Sequence, residues 1–154
     1  MKRFPHIPDR EYAFGMIFNV ANQCQSVLDN HLAPYDITTK QWYLSVIVNA
    51  LFESPPQISD VAKVMNTSHQ NVKVIAEKLA KKGHLTFVPD ESDQRKVRLK
   101  MTQQSMDFWE ILAPQSEAAM ADIFSGIDPD QLRLFNDTLT KMLDNLDRMK
   151  ENGK

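Results

Sequence analysis

The sequence predicts a mainly α-helical protein with one small β-hairpin. Apolar residues recur at helical spacing over most of the chain, and the period shortens to two residues only in residues 85–101. Proline and glycine lie between these segments, where they are expected to end the elements. With 154 residues, 42% of them hydrophobic and 25% charged, the chain is long enough for a real core. We therefore expect a single domain over residues 1–154.

Two helices are predicted in the first third of the chain. Residues 9–33 carry an apolar stripe at helical spacing, and a proline follows the stripe. The second helix has Thr38 and Thr39 as N-cap candidates. It is apolar over so much of its surface that we expect it to be mostly buried, and Pro55 and Pro56 end the segment.

A short helix, a tight turn and a longer helix come next. Residues 59–65 form the short helix, and Asn66 suits the turn because asparagine tolerates the left-handed backbone conformation. Ser68 is the predicted N-cap of a helix that extends to Lys82, and Gly83 ends that helix. Its inner face is predicted to consist of Val72, Ile75, Ala76 and Leu79.

The shorter period after Gly83 predicts a two-stranded hairpin with a polar tip. On its second half, Val97, Leu99 and Met101 alternate with Lys96, Arg98 and Lys100. A short helix, a turn, a polar-faced helix and a hairpin in this order make a winged helix-turn-helix, which we place within residues 37–101.

Two further helices are predicted after the hairpin. The first begins near Thr102 and contains Pro114, which is expected to kink it. Gly126 and the Asp128-Pro129 pair break the chain before the last helix.

Charge is distributed unevenly along the chain, and this is the first indication of function. Residues 58–101 hold nine Lys/Arg against five Asp/Glu (+4), residues 1–57 hold four against five (−1), and residues 102–154 hold five against ten (−5). A basic centre between neutral and acidic ends is typical of a module that binds a polyanion, although chance clustering on a solvated face is the alternative.

The helix that begins after Ser68 has the composition of a DNA recognition helix. Gln70 and Asn71 can each bond adenine through two hydrogen bonds, and Lys73 can reach the acceptors of guanine. Arg95 at the hairpin tip suits the narrow minor groove, and Asp93 is expected to orient Arg95 or to lock the turn. Which strand cations face DNA depends on the hairpin register. The predicted DNA contacts are Ser68, His69, Gln70, Asn71, Lys73, Lys78, Arg95, Lys96 and Arg98.

These segments resemble the MarR family of bacterial transcriptional regulators. The resemblance rests on Ile58 to Ala62 and on Lys81-Lys82-Gly83, then on DESDQR with its D-x-R pattern, on VRLKMT, and upstream on ITTKQW. It covers nearly the whole chain and implies the winged helix-turn-helix fold and binding to double-stranded DNA.

The resemblance also implies an obligate homodimer. In it, N- and C-terminal dimerisation helices, residues 1–34 and 102–154, would interlock and place two recognition helices about 34 Å apart on a pseudo-palindromic operator. The apolar stripes of the terminal helices agree, because they exceed what the winged helix can cover. Their members include Phe4, Ile7, Phe14, Phe18, Leu139, Met142 and Leu146.

The chain departs from the family pattern at three places. Ser105 stands where glycine is usual, His84 replaces leucine, and Thr86-Phe87-Val88 replaces a stretch that commonly carries arginine. The first wing strand is therefore less basic, so we expect modest phosphate affinity or more dependence on the recognition helix and Arg95.

The function predicted on this basis is transcriptional regulation, most often repression in this family, with release from DNA by a small aromatic or lipophilic effector. Residues 41–48 and 102–112 would contribute to the effector site. The alternative is a winged-helix dimer that acts as a protein-interaction module without operator binding, for which the arginines missing at 87 and 88 are the support. No catalytic spacing, metal motif or nucleotide loop is visible, so we expect no enzyme and no metal or cofactor.

The single cysteine and the N-terminus complete the sequence-based expectations. Cys24 lies on the apolar stripe of the first helix, so we expect a buried thiol rather than an exposed redox sensor. A metal site made of Cys24, His31 and His6 is the less favoured alternative. Without a signal peptide or an apolar run long enough for a membrane span, the protein is expected to be cytoplasmic with no membrane partner.

Overall fold

The computed structural model describes residues 7–90 and 93–153. It contains six α-helices and two strands in the described part of the chain. They are α1 (Asp9–Leu32), α2 (Thr39–Ala50), α3 (Ile58–Val64), α4 (His69–Lys81), β1 (Leu85–Pro89), β2 (Val97–Met101), α5 (Gln103–Ile123) and α6 (Pro129–Asn152), with a short 3-10 helix (Ala33–Tyr35) after α1. The mainly α-helical fold with a β-hairpin wing is confirmed. The chain divides into two compact units, one up to Phe108 and one from Trp109 onwards.

The core of the first unit lies among α2, α3, α4 and the base of the hairpin. The inner face predicted for α4 is confirmed, because all four of its apolar residues are buried. Side chains of the neighbouring elements complete the core. They include Leu44, Ile47, Val61 and Leu99.

Helix α2 is less buried than its sequence predicted. Its N-cap is Thr38, whose hydroxyl accepts a hydrogen bond from the Gln41 amide, while the Gln41 side chain accepts one from Thr38. One face of the helix packs in the core, but Val46 is exposed. The prediction of a mostly buried helix was therefore wrong. An apolar stripe broader than the available core leaves its margin in solvent.

The turn before α4 and the residue after it have the backbone that the sequence predicted. Asn66 has a φ of 48° and Gly83 a φ of 79°, both in the left-handed region. A side chain at position 83 would also approach Gln104, whose Oε1 lies 2.6 Å from the place of a Cβ. The left-handed backbone is what favours glycine there, because the Gln104 side chain is flexible and could move aside.

The wing is an antiparallel hairpin that is attached to the loop before α3. Its register pairs Phe87 with Leu99 and Val88 with Arg98. The Leu99 amide donates to the Pro56 carbonyl at 2.8 Å, and Gln57 forms a β-bridge with Arg98. The loop therefore acts as a short third strand beside β2.

The second unit contains the rest of α5 and all of α6. Pro114 lies inside α5, which continues to Ile123. Gly126 has a φ of 77°, and Asp128 caps α6 in a capping box with Gln131. The break predicted at these residues is confirmed, and none of the residues of α6 is buried in the single chain.

Helix α1 likewise leaves its apolar stripe open. Only Leu32 of this helix is buried, and Phe14 and Phe18 are exposed while they contact each other edge to face at 5.2 Å. Cys24 is half-buried rather than buried, which corrects the prediction for the single chain. The cause is that the stripe around it lacks a covering surface.

Two of the predicted positions, Phe4 and His6, lie outside the described residues. Within residues 7–90 and 93–153, no group of three His, Cys, Asp or Glu side chains is placed to hold a metal ion. In the same part of the chain, no helix is long and apolar enough to cross a membrane.

Candidate nucleic-acid interface

The N-terminus of α4 presents polar side chains to solvent. The Ser68 hydroxyl accepts a hydrogen bond from the Asn71 amide at 3.1 Å, which confirms the predicted N-cap. The Asn71 side-chain amide donates to the Thr67 hydroxyl at 3.0 Å. His69 and Gln70 are exposed. Ser68 and Asn71 thus hold the turn that positions the first exposed residues of the helix.

A groove lies between α4 and the wing. It has a volume of about 500 Å³ and brings together predicted contacts from both elements, His69 and Lys73 from the helix and Arg95 and Lys96 from the wing. Because residues of a helix that are four apart share a face, His69, Lys73 and Glu77 lie along the side of α4 that borders the wing. Lys73 of the helix and Arg95 and Lys96 of the wing therefore border the same groove.

Glu77 is a member of this groove that the sequence analysis missed. Its Oε1 lies 4.0 Å from the Lys73 Nζ, and both side chains are about half exposed. A pair of this kind at i, i+4 contributes only a few tenths of a kcal/mol (about 0.3–0.5) to stability. The spacing from Lys73 was the signal that could have found it. The carboxylate lowers the positive charge of the groove next to Lys73.

Apolar side chains form part of the same surface. Phe87 and Val97 line the groove and are exposed, and Val74 is exposed on the outer side of α4. Apolar groups at such positions can contact the methyl group of thymine. Phe87 was noted from the sequence only as the replacement of a usual arginine and Val97 only as a strand residue, and neither was predicted to border the site.

Lys78 lies on the other side of α4. It borders a cavity with residues of α1 and α2, among them Asp29 and Lys40. Lys78 does not line the groove that holds His69 and Lys73. The structure therefore separates Lys78 from the other predicted contacts.

The tip of the wing is held by hydrogen bonds of Asp93. Its carboxylate accepts from the Arg95 amide at 3.1 Å, and its carbonyl accepts from the Lys96 amide at 2.8 Å. The Arg95 side chain is exposed beyond this turn. This geometry agrees with the predicted role of Asp93 in locking the turn.

Arg98 lies on the opposite face of the hairpin from the groove. Successive strand residues point to opposite faces, so Val97 lines the groove while Arg98 and Lys100 line a separate cavity behind the wing. The Arg98 Nε donates to the Asp90 carboxylate at 2.6 Å. Arg98 was predicted as a DNA contact, and the structure pairs it with a buried carboxylate on the side of the wing away from the groove.

The root of the wing lies against the end of α4 and the start of α5. The Thr102 hydroxyl donates to the Gly83 carbonyl at 2.6 Å and accepts from the Ser105 amide at 3.1 Å, so it caps α5. His84 is buried and packs on Phe108 with ring centroids 4.9 Å apart. Burial lowers the pKa of His84, and the nearby charge of Lys82 lowers it further.

The first turn of α2 is tied to α1 by a carboxylate. Asp29 accepts hydrogen bonds from the Thr39 amide and from the Thr39 hydroxyl, both at 2.8 Å. These bonds stabilise the charged form, so the pKa of Asp29 lies below its usual value. The second predicted cap candidate, Thr39, thus joins two helices.

Solved structures of similar fold support this assignment of elements. A MarR protein from Peptoclostridium difficile superposes with a TM-score of 0.80 at 14% identity, covering 100% of this chain and 98% of that chain. The Staphylococcus aureus MepR–DNA complex gives a TM-score of 0.75 at 20% identity over 93% and 99% of the two chains. CouR from Rhodococcus jostii, solved with p-coumaroyl-CoA, gives 0.72 at 17% identity over 82% and 88%.

The chain has the fold of the MarR family of transcriptional regulators. This confirms the resemblance on which the sequence analysis relied. In this MarR fold, α3 and α4 are the helix-turn-helix and β1 and β2 are the wing.

The curated proteins that resemble this chain in sequence are also transcription regulators. No family model matches the chain. The transcriptional activatory protein BadR of Rhodopseudomonas palustris is 25% identical over 138 residues, 88% of this chain and 79% of BadR. The transcriptional repressor MprA of Escherichia coli is 23% identical over 97 residues, 63% of this chain and 55% of MprA. These relatives and structural neighbours are transcription regulators and not enzymes.

Proposed function

We propose that this protein is a sequence-specific DNA-binding transcriptional regulator. The groove between α4 and the wing carries the proposal, because His69, Lys73, Arg95 and Lys96 converge on it from two elements. In the proposed complex the exposed N-terminal part of α4 reads base edges in the major groove, which is about 12 Å wide. Arg95 enters the adjacent minor groove, where the potential is most negative.

The proposal includes a homodimer as the binding unit. The exposed apolar side chains of α1 and α6, such as Phe14, Phe18, Leu143 and Leu146, support it, because a monomer rarely leaves long apolar faces open to water. A two-fold dimer would present two α4 helices to half-sites one helical turn apart. The operator is therefore expected to be a pseudo-palindrome.

A selection of genomic DNA fragments on the purified protein tests the proposal. The wild type is expected to enrich one inverted repeat, and its affinity is expected to fall steeply with salt. Arg95→Ala and Gln70→Ala are each expected to weaken binding about tenfold or more, through the minor and major groove respectively. Lys150→Ala, on the exposed end of α6, serves as a matched charge-removal control that leaves binding unchanged. Enrichment of nothing at low salt, with or without an aromatic acid, would overturn the proposal.

Repression and release by an effector are the finer parts of the proposal. The named relatives include an activator and a repressor, so a reporter carrying the recovered operator decides the direction; repression is the expected result. An effector is supported by CouR, which was solved with p-coumaroyl-CoA.

A cavity within the first unit suits a small aromatic or lipophilic effector. It has a volume of about 670 Å³ and lies between the end of α2 and the start of α5, with Val48, Phe52 and Met106 in its wall. It draws on both stretches, 41–48 and 102–112, that the family resemblance assigned to an effector. Binding of an aromatic acid in this cavity is expected to lower operator affinity, and Phe52→Ala is expected to reduce that response.

The protein-interaction module is the second candidate. The apolar side chains of Phe87 and Val97 in the groove favour this candidate, since a protein surface that binds DNA is usually more polar. It becomes the leading function if the selection recovers no DNA fragment with or without an aromatic acid.

A further inference from the structure

We propose that Arg98 and Asp90 position the wing on the helix-turn-helix and that Arg98 acts on DNA only through Arg95. This inference rests on the proposed function, because it concerns how the wing reaches DNA. It replaces the direct DNA contact that the sequence predicted for Arg98.

The Arg98 guanidinium forms two hydrogen bonds to two different segments of the chain. Its Nε donates to the Asp90 Oδ2 at 2.6 Å, and its Nη1 donates to the Pro55 carbonyl at 2.7 Å. One planar group thus joins the end of β1 to the loop before α3. Only arginine has donors spaced to reach both acceptors at once.

Asp90 also forms hydrogen bonds to the turn at the tip of the wing. Its Oδ1 accepts from the Asp93 amide at 3.1 Å, and the Asp90 amide donates to the Lys96 carbonyl at 3.0 Å. Asp90 is 2% exposed. A buried carboxylate is therefore bonded to the tip turn on one side and to Arg98 on the other.

These hydrogen bonds connect Arg95 at the tip of the wing to the loop before α3. Asp93 holds the backbone of Arg95, Asp90 holds Asp93, and Arg98 holds Asp90 against the loop at Pro55. The loop precedes α3 and therefore belongs to the helix-turn-helix. A continuous set of hydrogen bonds thus fixes where the tip of the wing lies relative to α4.

Arg98 and Arg95 lie on different sides of the wing. Arg98 borders the cavity behind the wing, together with Lys100 and Asp90, whereas Arg95 and Lys96 border the groove beside α4. Arg98 is also the ion-pair partner of the buried Asp90 carboxylate. Moving Arg98 to DNA would leave that carboxylate unpaired, which costs much free energy. Arg98 is thus half-buried behind the wing, on the side away from the groove.

Operator affinities of a mutant set test the inference. Asp90→Asn and Arg98→Gln are each expected to weaken binding about tenfold, because either one loosens the wing. In an Arg95→Ala background, neither is expected to weaken binding more than about twofold, since the positioned group is already gone. A general loss of folded protein would weaken binding equally in both backgrounds.

The sign of the Asp90→Asn effect decides between the two roles of Arg98. Removing a carboxylate close to DNA raises the local positive charge, so a directly contacting Arg98 predicts binding as tight as that of the wild type or tighter. Positioning predicts weaker binding. Wild-type or tighter binding by Asp90→Asn, together with loss in Arg98→Gln, would overturn the inference.

Amide hydrogen exchange in the DNA-free protein gives an independent readout. The Asp93 and Leu99 amides are expected to exchange faster in Asp90→Asn and Arg98→Gln, and only in part in Arg98→Lys, which keeps the charge without the two-acceptor fork. Lys100→Gln is the matched control, since Lys100 lies two residues along the same strand face, and it is expected to leave these amides unchanged.

Unchanged exchange in Asp90→Asn and Arg98→Gln would also overturn the inference. If the wild type binds no DNA, the proposed function fails. The exchange result then decides by itself whether the pair holds the wing.

Discussion

Helices α4 and α6 have the same kind of sequence pattern and opposite environments. Both carry a clear apolar stripe opposite a polar face. The stripe of α4 is buried within the chain, with Leu79 at 0% exposure, whereas Leu143 in the stripe of α6 is 61% exposed. A stripe therefore predicts that a face will be covered, but it does not say whether the chain itself or a second copy covers it.

The largest expected effect is a difference in the free energy of unfolding between matched variants of the two helices. Leu79→Ala removes a fully buried side chain and is expected to lower the free energy of unfolding by about 2–5 kcal/mol. Leu134→Ala, the same substitution at an exposed position of α6, is expected to change it by less than about 0.5 kcal/mol. Urea denaturation monitored by circular dichroism measures both, and equal losses would contradict the contrast.

The next prediction concerns the apolar face of α6 in the proposed dimer. Leu146→Glu places a charge on that face and is expected to shift the protein towards the monomer, because an unpaired carboxylate resists burial. Sedimentation equilibrium measures the change in dimer dissociation constant. Lys141→Glu, which adds an acid elsewhere on α6, is the control and should leave the dimer intact. A wild type that sediments as a monomer would remove the proposed explanation of the stripe.

A smaller effect is expected at the residue that follows α4. The pKa of the buried His84 is lowered, so the unfolded chain takes up a proton at a higher pH than the folded chain. Stability is therefore full above the ordinary histidine value of 6.5 and is lost as the pH falls below it towards the folded-state pKa. Replacement of His84 by leucine is expected to reduce the loss of stability between pH 8 and pH 5. His69→Gln removes an exposed imidazole and serves as the comparison.

The smallest expected effect concerns Glu77, in the groove between α4 and the wing. Glu77→Gln removes a carboxylate from the groove and is expected to strengthen DNA binding a few-fold, about 1 kcal/mol or less, at low salt. The gain should shrink as salt rises, because screening weakens the repulsion. Glu110→Gln on α5 is the matched control, and titration of operator DNA at two salt concentrations measures the difference. An equal gain in both variants would place Glu77 away from the DNA.

Local rules were sufficient for the boundaries of most elements. Ser68 caps α4 through one hydrogen bond to Asn71, Gly83 ends it with a left-handed backbone, and Asp128 begins α6 before a proline. Each of these depends on residues within four positions of one another. Such signals can be interpreted without knowing what the helix packs on.

The candidate site was predictable in its parts but not in its arrangement. His69, Lys73, Arg95 and Lys96 were predicted as DNA contacts, and they meet at one groove. Lys78 was predicted with them and lies on the opposite side of α4. A helix surface has several sides, and only the position of the wing decides which of them borders the groove.

Sequence by itself determined the order of the elements, their caps and the presence of a basic centre in this protein. Tertiary structure decided the roles of two neighbouring cations, Lys96 beside the groove and Arg98 behind the wing. The reason is that caps and turns depend on adjacent residues, whereas the partner of Arg98 in the loop lies 43 positions away at Pro55. Contacts over such distances in sequence form only when the chain has packed.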